Sequence, residues 1–178
     1  MILLIKTPNI SFHDLEFVKP IEDTLERNHV NFKSIHYTKL NEKLIKTADK
    51  IIISGTSLKD NNYLSHIKKF DWIKEFEKPI LGICGGMHIL GLIFNGKIKN
   101  YQEIGLKEVV FENDFLGFIG KHIVYELHNL NVVSKEFNVF ASSKNCIQAI
   151  KHNKKPFYGV QFHPEVRNKN LIINFTRL

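Results

Sequence analysis

Short apolar runs alternate with segments of helical spacing through the first half of the chain. The predicted strands are residues 2–6, 31–37, 50–55 and 80–83. The predicted helices are residues 13–27, 40–48, 60–76 and 87–94. Four alternations of this kind are typical of a mostly parallel sheet with helices on both faces. In such sheets functional groups gather beyond the carboxyl ends of the strands, where both Gly55 and Cys84 lie.

The second half has shorter apolar runs separated by turn residues. The predicted strands are residues 104–111, 121–127, 138–141, 147–152 and 157–162, followed by a terminal helix over 169–178. We expect them to form a small antiparallel addition that leads back to the same sheet. The sequence has no repeat and no low-complexity linker, so residues 1–178 are predicted to form one α/β domain.

The charge raises the question of nucleic acid, because the net charge is +7 and the isoelectric point is about 9.3. The lysines, however, are scattered singly or in short pairs, without zinc-ligand spacing or an RNA-binding signature. We therefore do not expect a nucleic-acid partner. A solvated basic surface and an acidic protein partner both remain open.

No apolar stretch approaches the ~18 residues of a membrane span, and the first residues lack a basic leader. The chain has two cysteines, Cys84 and Cys146, too few for a disulfide framework. These features predict a cytoplasmic protein without a membrane anchor.

Cys84 stands where a buried strand meets a helix, with Gly82 before it and Gly85-Gly86 after it. Strand, tight turn and helix with a nucleophile at the apex describe a nucleophile elbow. A helix N-terminus also favours a thiolate over a thiol. An isolated cysteine in an apolar segment is more often an inert core residue, so the assignment needs a base as well.

A candidate base lies near the C-terminus, where an apolar strand leads into His163-Pro164-Glu165. Pro164 disfavours helix at His163 and fixes its own backbone, which holds the two side chains at the strand end. A cysteine nucleophile needs an imidazole to take its proton and an acid to orient that imidazole. His163 and Glu165 supply these groups, although a lone histidine there is commonly structural.

With these motifs in this order, the chain resembles the class I, triad-type glutamine amidotransferases. The resemblance rests on Gly82-Ile83-Cys84-Gly85-Gly86, on Gly159-Val160-Gln161-Phe162-His163-Pro164-Glu165 and on the turn Ser54-Gly55. It runs along nearly the whole chain. It implies a flavodoxin-like α/β fold, mostly parallel, with helices on both faces and a small antiparallel addition.

The resemblance also implies a reaction, the hydrolysis of L-glutamine to glutamate and ammonia. Cys84 is then the nucleophile, His163 the general base and acid, and Glu165 its orienting partner. The implied oxyanion hole uses the backbone N–H of Gly85 and that of Gly55 or Thr56. No cofactor and no metal are implied. The ammonia is passed to a separate ATP-dependent synthetase subunit of the ATP pyrophosphatase type.

Two positions depart from the family pattern. His88 stands where the family usually has a substrate-binding glutamine, and Thr56 stands where many members have a second glycine. Because a non-glycine residue resists a positive φ, we expect the Thr56 loop to need a partner or ligand for its active form. His128-Asn129-Leu130 is similar to the His-Ser-Leu element of anthranilate and aminodeoxychorismate synthase glutaminases. These three residues and His88 are the predicted substrate-binding residues.

The pathway is less well determined than the reaction. Residues 141–146 and 158–166 look most like the glutaminase part of GMP synthase, including its separate-subunit form. Cys84-Gly85-Gly86 followed by Leu90-Gly91 resembles cobyric-acid-type enzymes. A glutaminase of another pathway, a stand-alone γ-glutamyl hydrolase and a catalytically weak binding or regulatory module remain alternatives.

Overall fold

The computed structural model describes residues 1–178, which form a single nine-stranded mixed sheet with helices on both faces. The strands are β1 Ile2–Lys6, β2 Phe32–His36, β3 Lys50–Ile53, β4 Ile80–Ile83, β5 Lys97–Phe115, β6 Phe118–Val133, β7 Phe137–Ser142, β8 Ile147–His152 and β9 Phe157–Val160. Their order in the sheet is β2-β1-β3-β4-β9-β8-β7-β5-β6. This is the expected α/β architecture.

The five strands from β2 to β9 in that order run parallel to one another. β4 lies beside β9 with Ile83 paired to Val160, so the two strands end at the same edge of the sheet. Cys84 follows one strand and Gln161 follows the other. Two motifs that are far apart in the sequence therefore meet at the carboxyl ends of neighbouring strands.

The remaining four strands are antiparallel and continue the same sheet beyond β9. β5 and β6 form a hairpin of 19 and 16 residues, much longer than the predicted strands 104–111 and 121–127. The prediction missed these extensions because they alternate polar residues with few apolar ones. The antiparallel part is thus larger than the small addition that we expected.

The helices are α1 His13–Phe17, α2 Lys19–Arg27, α3 Glu42–Thr47, α4 Asn62–Ser65, α5 Gly85–Ile93 and α6 Lys169–Thr176. The single helix predicted over 13–27 is two helices, because Pro20 has no N–H to continue α1 and instead stands in the first turn of α2. The helix predicted over 60–76 is the short α4 followed by a 3₁₀ segment, Ile67–Glu75.

Alternate residues of the central strands enter two separate cores. Ile2 and Leu4 of β1 pack with one cluster of 23 buried residues, which includes Ile21 of α2 and Leu171 of α6. Leu3 and Ile5 pack with a second cluster of 19 buried residues that contains α5 and the 3₁₀ segment. Since the side chains of a strand point alternately to its two faces, both faces of the sheet are covered. None of the helices has the length and hydropathy needed to cross a bilayer.

Candidate active site

The backbone of Cys84 adopts φ 48° and ψ −103°, a conformation that side-chain-bearing residues rarely take. It turns the chain from β4 directly into α5, and its N–H donates to the carbonyl of Val160 at 2.7 Å. A residue held in this way at a strand end is the geometry of a nucleophile elbow. The positive φ lies at the cysteine itself and not at its glycine neighbours.

The neighbouring glycines are required by close packing. A Cβ at Gly86 would lie 2.3 Å from the carbonyl oxygen of Ile53 in β3, and one at Gly82 would lie 2.5 Å from the backbone of Gly86. Both contacts are with backbone atoms, which cannot move aside. Gly82 and Gly86 therefore let α5 sit directly on the sheet and set the position of Cys84.

His163 and Glu165 are both fully buried and joined to each other. The Nδ1 atom of His163 lies 2.7 Å from Oε1 of Glu165, and its Nε2 atom has no hydrogen-bond partner. A Cβ built on Gly55 would lie 2.7 Å from Cε1 of His163 and 3.2 Å from Cβ of Cys84. The structure therefore brings the predicted nucleophile, base and orienting acid together, with Gly55 packed against the first two.

The electrostatics of this group favour a charged imidazole. Burial by itself would lower the pKa of His163, but the negative charges of Glu165 and of Cys84 raise that pKa well above its ordinary value. His163 is thus positioned to carry a proton beside the sulfur. Its ring also packs against Phe17, with the ring centroids 5.1 Å apart, which helps to exclude water.

The predicted oxyanion donors lie on both sides of Cys84. Gly85 is the first residue of α5, so its N–H is among the donors that a helix leaves unpaired at its N-terminus. Gly55 and Thr56 follow β3 and are buried beside the cysteine. Thr56 does not have a positive φ, so the backbone strain expected at this residue is absent from this conformation of the loop.

His88 is buried behind the cysteine, and both of its ring nitrogens have protein partners. Nε2 lies 3.0 Å from Oε1 of Gln161, and Nδ1 lies 2.8 Å from the hydroxyl of Tyr63. Burial lowers the pKa of His88 to about 4, so the ring is neutral. Because the amide oxygen only accepts, Nε2 must donate to Gln161, and the Tyr63 hydroxyl then donates to Nδ1.

Gln161 and Tyr63 are site residues that were not assigned from the sequence. The Gln161 amide nitrogen lies 3.8 Å from Sγ of Cys84, while its oxygen accepts from His88 and, at 3.3 Å, from Asn131. Gln161 is fully buried just past the end of β9. A polar residue amid the apolar run before His163 was the signal that pointed to it.

The predicted substrate-binding segment runs alongside Cys84. The carbonyl oxygen of Leu127 lies 4.0 Å from Sγ, and the Asn129 side chain donates to the carbonyl of Leu58 at 3.0 Å. Leu130, next along β6, is half-buried. The His128 ring is buried against Glu126 and Glu103, so this segment approaches the sulfur through its backbone.

Comparison with known proteins assigns the class of protein. Residues 12–174 match the family model for class I glutamine amidotransferases, and the chain belongs to that family. The expected fold class and enzyme class are thus confirmed. Among individual relatives, the glutamine-hydrolysing subunit of GMP synthase from Pyrococcus furiosus is 32% identical over 177 residues, covering 92% of this chain and 93% of that protein. The same protein of Methanosarcina barkeri is 33% identical and covers 79% of each chain.

Solved structures agree on the fold. A Thermoplasma acidophilum protein, provisionally assigned as the corresponding GMP synthase subunit, superposes with a TM-score of 0.86 at 22% identity, covering 98% of this chain and 90% of its own. A glutamine amidotransferase of Thermotoga maritima superposes with a TM-score of 0.75 at 19% identity, covering 99% and 81%. The sequence resemblance to the GMP synthase glutaminase is therefore supported by named relatives.

Proposed function

We propose that this chain is a glutaminase subunit that hydrolyses L-glutamine through Cys84, His163 and Glu165 and delivers the ammonia to a separate synthetase. The observation that carries the proposal is the buried His163–Glu165 pair, packed across Gly55 from a cysteine in elbow geometry. Family membership supplies the class of reaction, and the relatives named as glutamine-hydrolysing GMP synthase subunits favour that pathway.

The first half of the reaction uses the proton held by His163. The Cys84 sulfur gives its proton to Nε2 of His163, the nitrogen that has no other partner, and Glu165 stabilises the resulting imidazolium. The thiolate attacks the side-chain carboxamide of glutamine. The N–H of Gly85, with that of Gly55 or Thr56, stabilises the developing oxyanion, each donor contributing about 3 kcal/mol.

The second half releases the two products. The imidazolium protonates the leaving nitrogen, so ammonia departs and a γ-glutamyl thioester remains on Cys84. Neutral His163 then takes a proton from water, and the resulting hydroxide attacks the thioester to form glutamate. The thiol is regenerated, and no cofactor is consumed. Gln161, held by His88 and Tyr63, acts as a positioning residue behind the sulfur.

The partner follows from the fate of ammonia, which becomes protonated and loses its nucleophilicity in water. The GMP synthase of Francisella philomiragia is 33% identical over the matched region, but this chain covers only 26% of its length. We infer that the remaining function resides on another chain, an ATP-dependent synthetase of the ATP pyrophosphatase type. His128, Asn129 and Leu130 remain proposed substrate-binding residues, and His88 acts through Gln161.

The test is glutamate release from L-glutamine by the purified chain, with and without the synthetase subunit of the same organism. We expect turnover that rises when the synthetase and ATP are added. Cys84→Ala should abolish it in both conditions, by at least about 10³-fold. Hydrolysis of γ-glutamyl peptides but not of glutamine would instead identify a stand-alone hydrolase. Binding of glutamine without turnover in every condition would contradict an enzymatic role.

Glu165→Gln tests the role of the acid separately from that of the nucleophile. The amide keeps the shape of the side chain but removes the charge that raises the pKa of His163. We expect kcat to fall by about 10²- to 10⁴-fold, with little change in KM. Wild-type kcat in this variant would rule out Glu165 as the orienting group.

A further inference from the structure

Behind the wall of the active site lies a second group of buried polar side chains, the acidic cluster, formed by Glu103 of β5, Glu126 and His128 of β6, and Cys146 of the β7–β8 loop. We propose that the acidic cluster is a binding site for one divalent transition-metal ion of the zinc type, with Glu103, His128 and Cys146 as its ligands. The inference is independent of the proposed glutaminase activity.

The three ligand atoms already converge. A carboxylate oxygen of Glu103, a ring nitrogen of His128 and Sγ of Cys146 all lie within 4.8 Å of one another. Zinc bonds to sulfur, nitrogen and oxygen are about 2.0–2.3 Å long, so an ion fits among these atoms after a small inward adjustment. A set of one thiolate, one imidazole and one carboxylate suits zinc and related ions better than it suits Mg²⁺ or Ca²⁺.

The unbound cluster leaves its charges without compensation. Glu126 is fully buried, and neither of its carboxylate oxygens has a hydrogen-bond partner. Its Oε2 atom faces Nε2 of His128 at 3.2 Å, and Oε2 of Glu103 faces the same nitrogen at 3.5 Å. That nitrogen is also without a hydrogen bond. A cation at this point compensates the buried charge, and Glu126 is placed to supply a fourth ligand.

Surrounding groups hold the ligands in orientations that suit a metal. Nδ1 of His128 lies 3.2 Å from the carbonyl of Tyr101, to which it can only donate, and this leaves Nε2 as the ligating atom. Ser143 and Gln148 donate to the Glu103 carboxylate at 2.9 and 2.7 Å. The Asn131 amide donates to Sγ of Cys146 at 3.0 Å. Metal ligands in proteins are commonly fixed by such hydrogen bonds.

An entry path and a consequence follow from the location. The Glu103 side chain is 10% exposed, and a cavity of about 230 Å³ opens beside it between Tyr101, Asn131 and Asn145. Binding displaces the thiol proton of Cys146 to solvent and forms the metal–sulfur bond. The ion would tie β5, β6 and the β7–β8 loop together. It would thereby hold the segment whose Leu127 carbonyl lies beside Cys84.

The test uses Zn²⁺ and Co²⁺ as probes on the purified full chain. After incubation with zinc and desalting, we expect about one zinc per chain, together with a raised Tm. Cobalt loading should give thiolate-to-cobalt charge-transfer absorption. Cys146→Ser should lose the zinc and the absorption, whereas the matched variant Cys84→Ser should keep both.

Three results would overturn the inference. Zinc retention in Cys146→Ser with loss in Cys84→Ser would place the ion at the catalytic cysteine. No zinc retention by the folded wild-type chain would mean that protons alone compensate the cluster. If Cys146→Ser fails to fold, Glu103→Gln replaces it, and zinc binding at wild-type stoichiometry and affinity in that variant would contradict the assigned ligand set.

Discussion

At Cys84 the same side chain has to serve two incompatible demands. The backbone conformation, φ 48° and ψ −103°, suits glycine, while the chemistry requires a thiol. Conformations of this kind cost about 1–3 kcal/mol and persist where surrounding structure enforces them. Here the enforcement comes from the hydrogen bond to Val160 and from the packing of Gly86 on β3. The strain therefore keeps the sulfur exposed to His163 at the end of the sheet.

This strain predicts an ordering of two inactive variants. Cys84→Gly should be more stable than Cys84→Ala by about 1 kcal/mol, because glycine adopts the native backbone without a Cβ clash. The flexible unfolded state of the glycine variant works against this gain, so the strain must exceed that entropy for the order to hold. Urea unfolding of both proteins measures the difference. An alanine variant as stable as the glycine variant would show that the elbow is not strained.

At the scale of elements, the junction between β4 and α5 positions the nucleophile by backbone-to-backbone contact. The spacing of glycines around Cys84 was visible in the sequence, but their separate roles were not. Gly86 faces the carbonyl of Ile53, whereas a Cβ at Gly85 would meet only the Tyr63 ring, at 3.2 Å. A ring can rotate slightly, but a strand in the middle of a sheet cannot. The two adjacent glycines therefore differ in what they tolerate.

Alanine substitutions at these two positions should separate the roles. Gly86→Ala should lower the free energy of unfolding by about 3 kcal/mol, because α5 must lift away from β3. Gly85→Ala is the matched control and should cost about 1 kcal/mol or less. Denaturant midpoints of the purified variants provide the measurement. Equal losses at the two sites would mean that α5 does not rest on Ile53 as described.

For the whole molecule, the sequence was informative where its signals were local. Alternating strands and helices predicted the parallel half, and the motifs around Cys84 and His163 predicted the residues that meet at its edge. The hairpin extensions carry mostly polar residues, so their pairing depends on the neighbouring strand and not on their own pattern. The acidic cluster combines positions 103, 126, 128 and 146 from three segments, and no short spacing betrays it.

The stability of the whole molecule should depend on acid through His88. Above pH 6.5, the ordinary pKa of histidine, this ring is neutral in both the folded and unfolded states and contributes no pH dependence. Below it, the unfolded chain binds a proton that folded His88 refuses until about pH 4, because burial opposes the charge. Across this window the free energy of unfolding should fall by about 3 kcal/mol from this residue alone.

His88→Gln isolates that contribution. Glutamine is the usual family residue at this position and can keep hydrogen bonds to both Tyr63 and Gln161. His163 does not confound the window, because its raised pKa stabilises the fold fully below pH 6.5 and loses that effect only as pH rises through the folded value. Urea unfolding between pH 7 and pH 4 should therefore show a smaller loss in the variant than in the wild type. Equal slopes would mean that His88 becomes protonated in the folded protein, and the donor directions assigned to Tyr63 and Gln161 would have to be reversed.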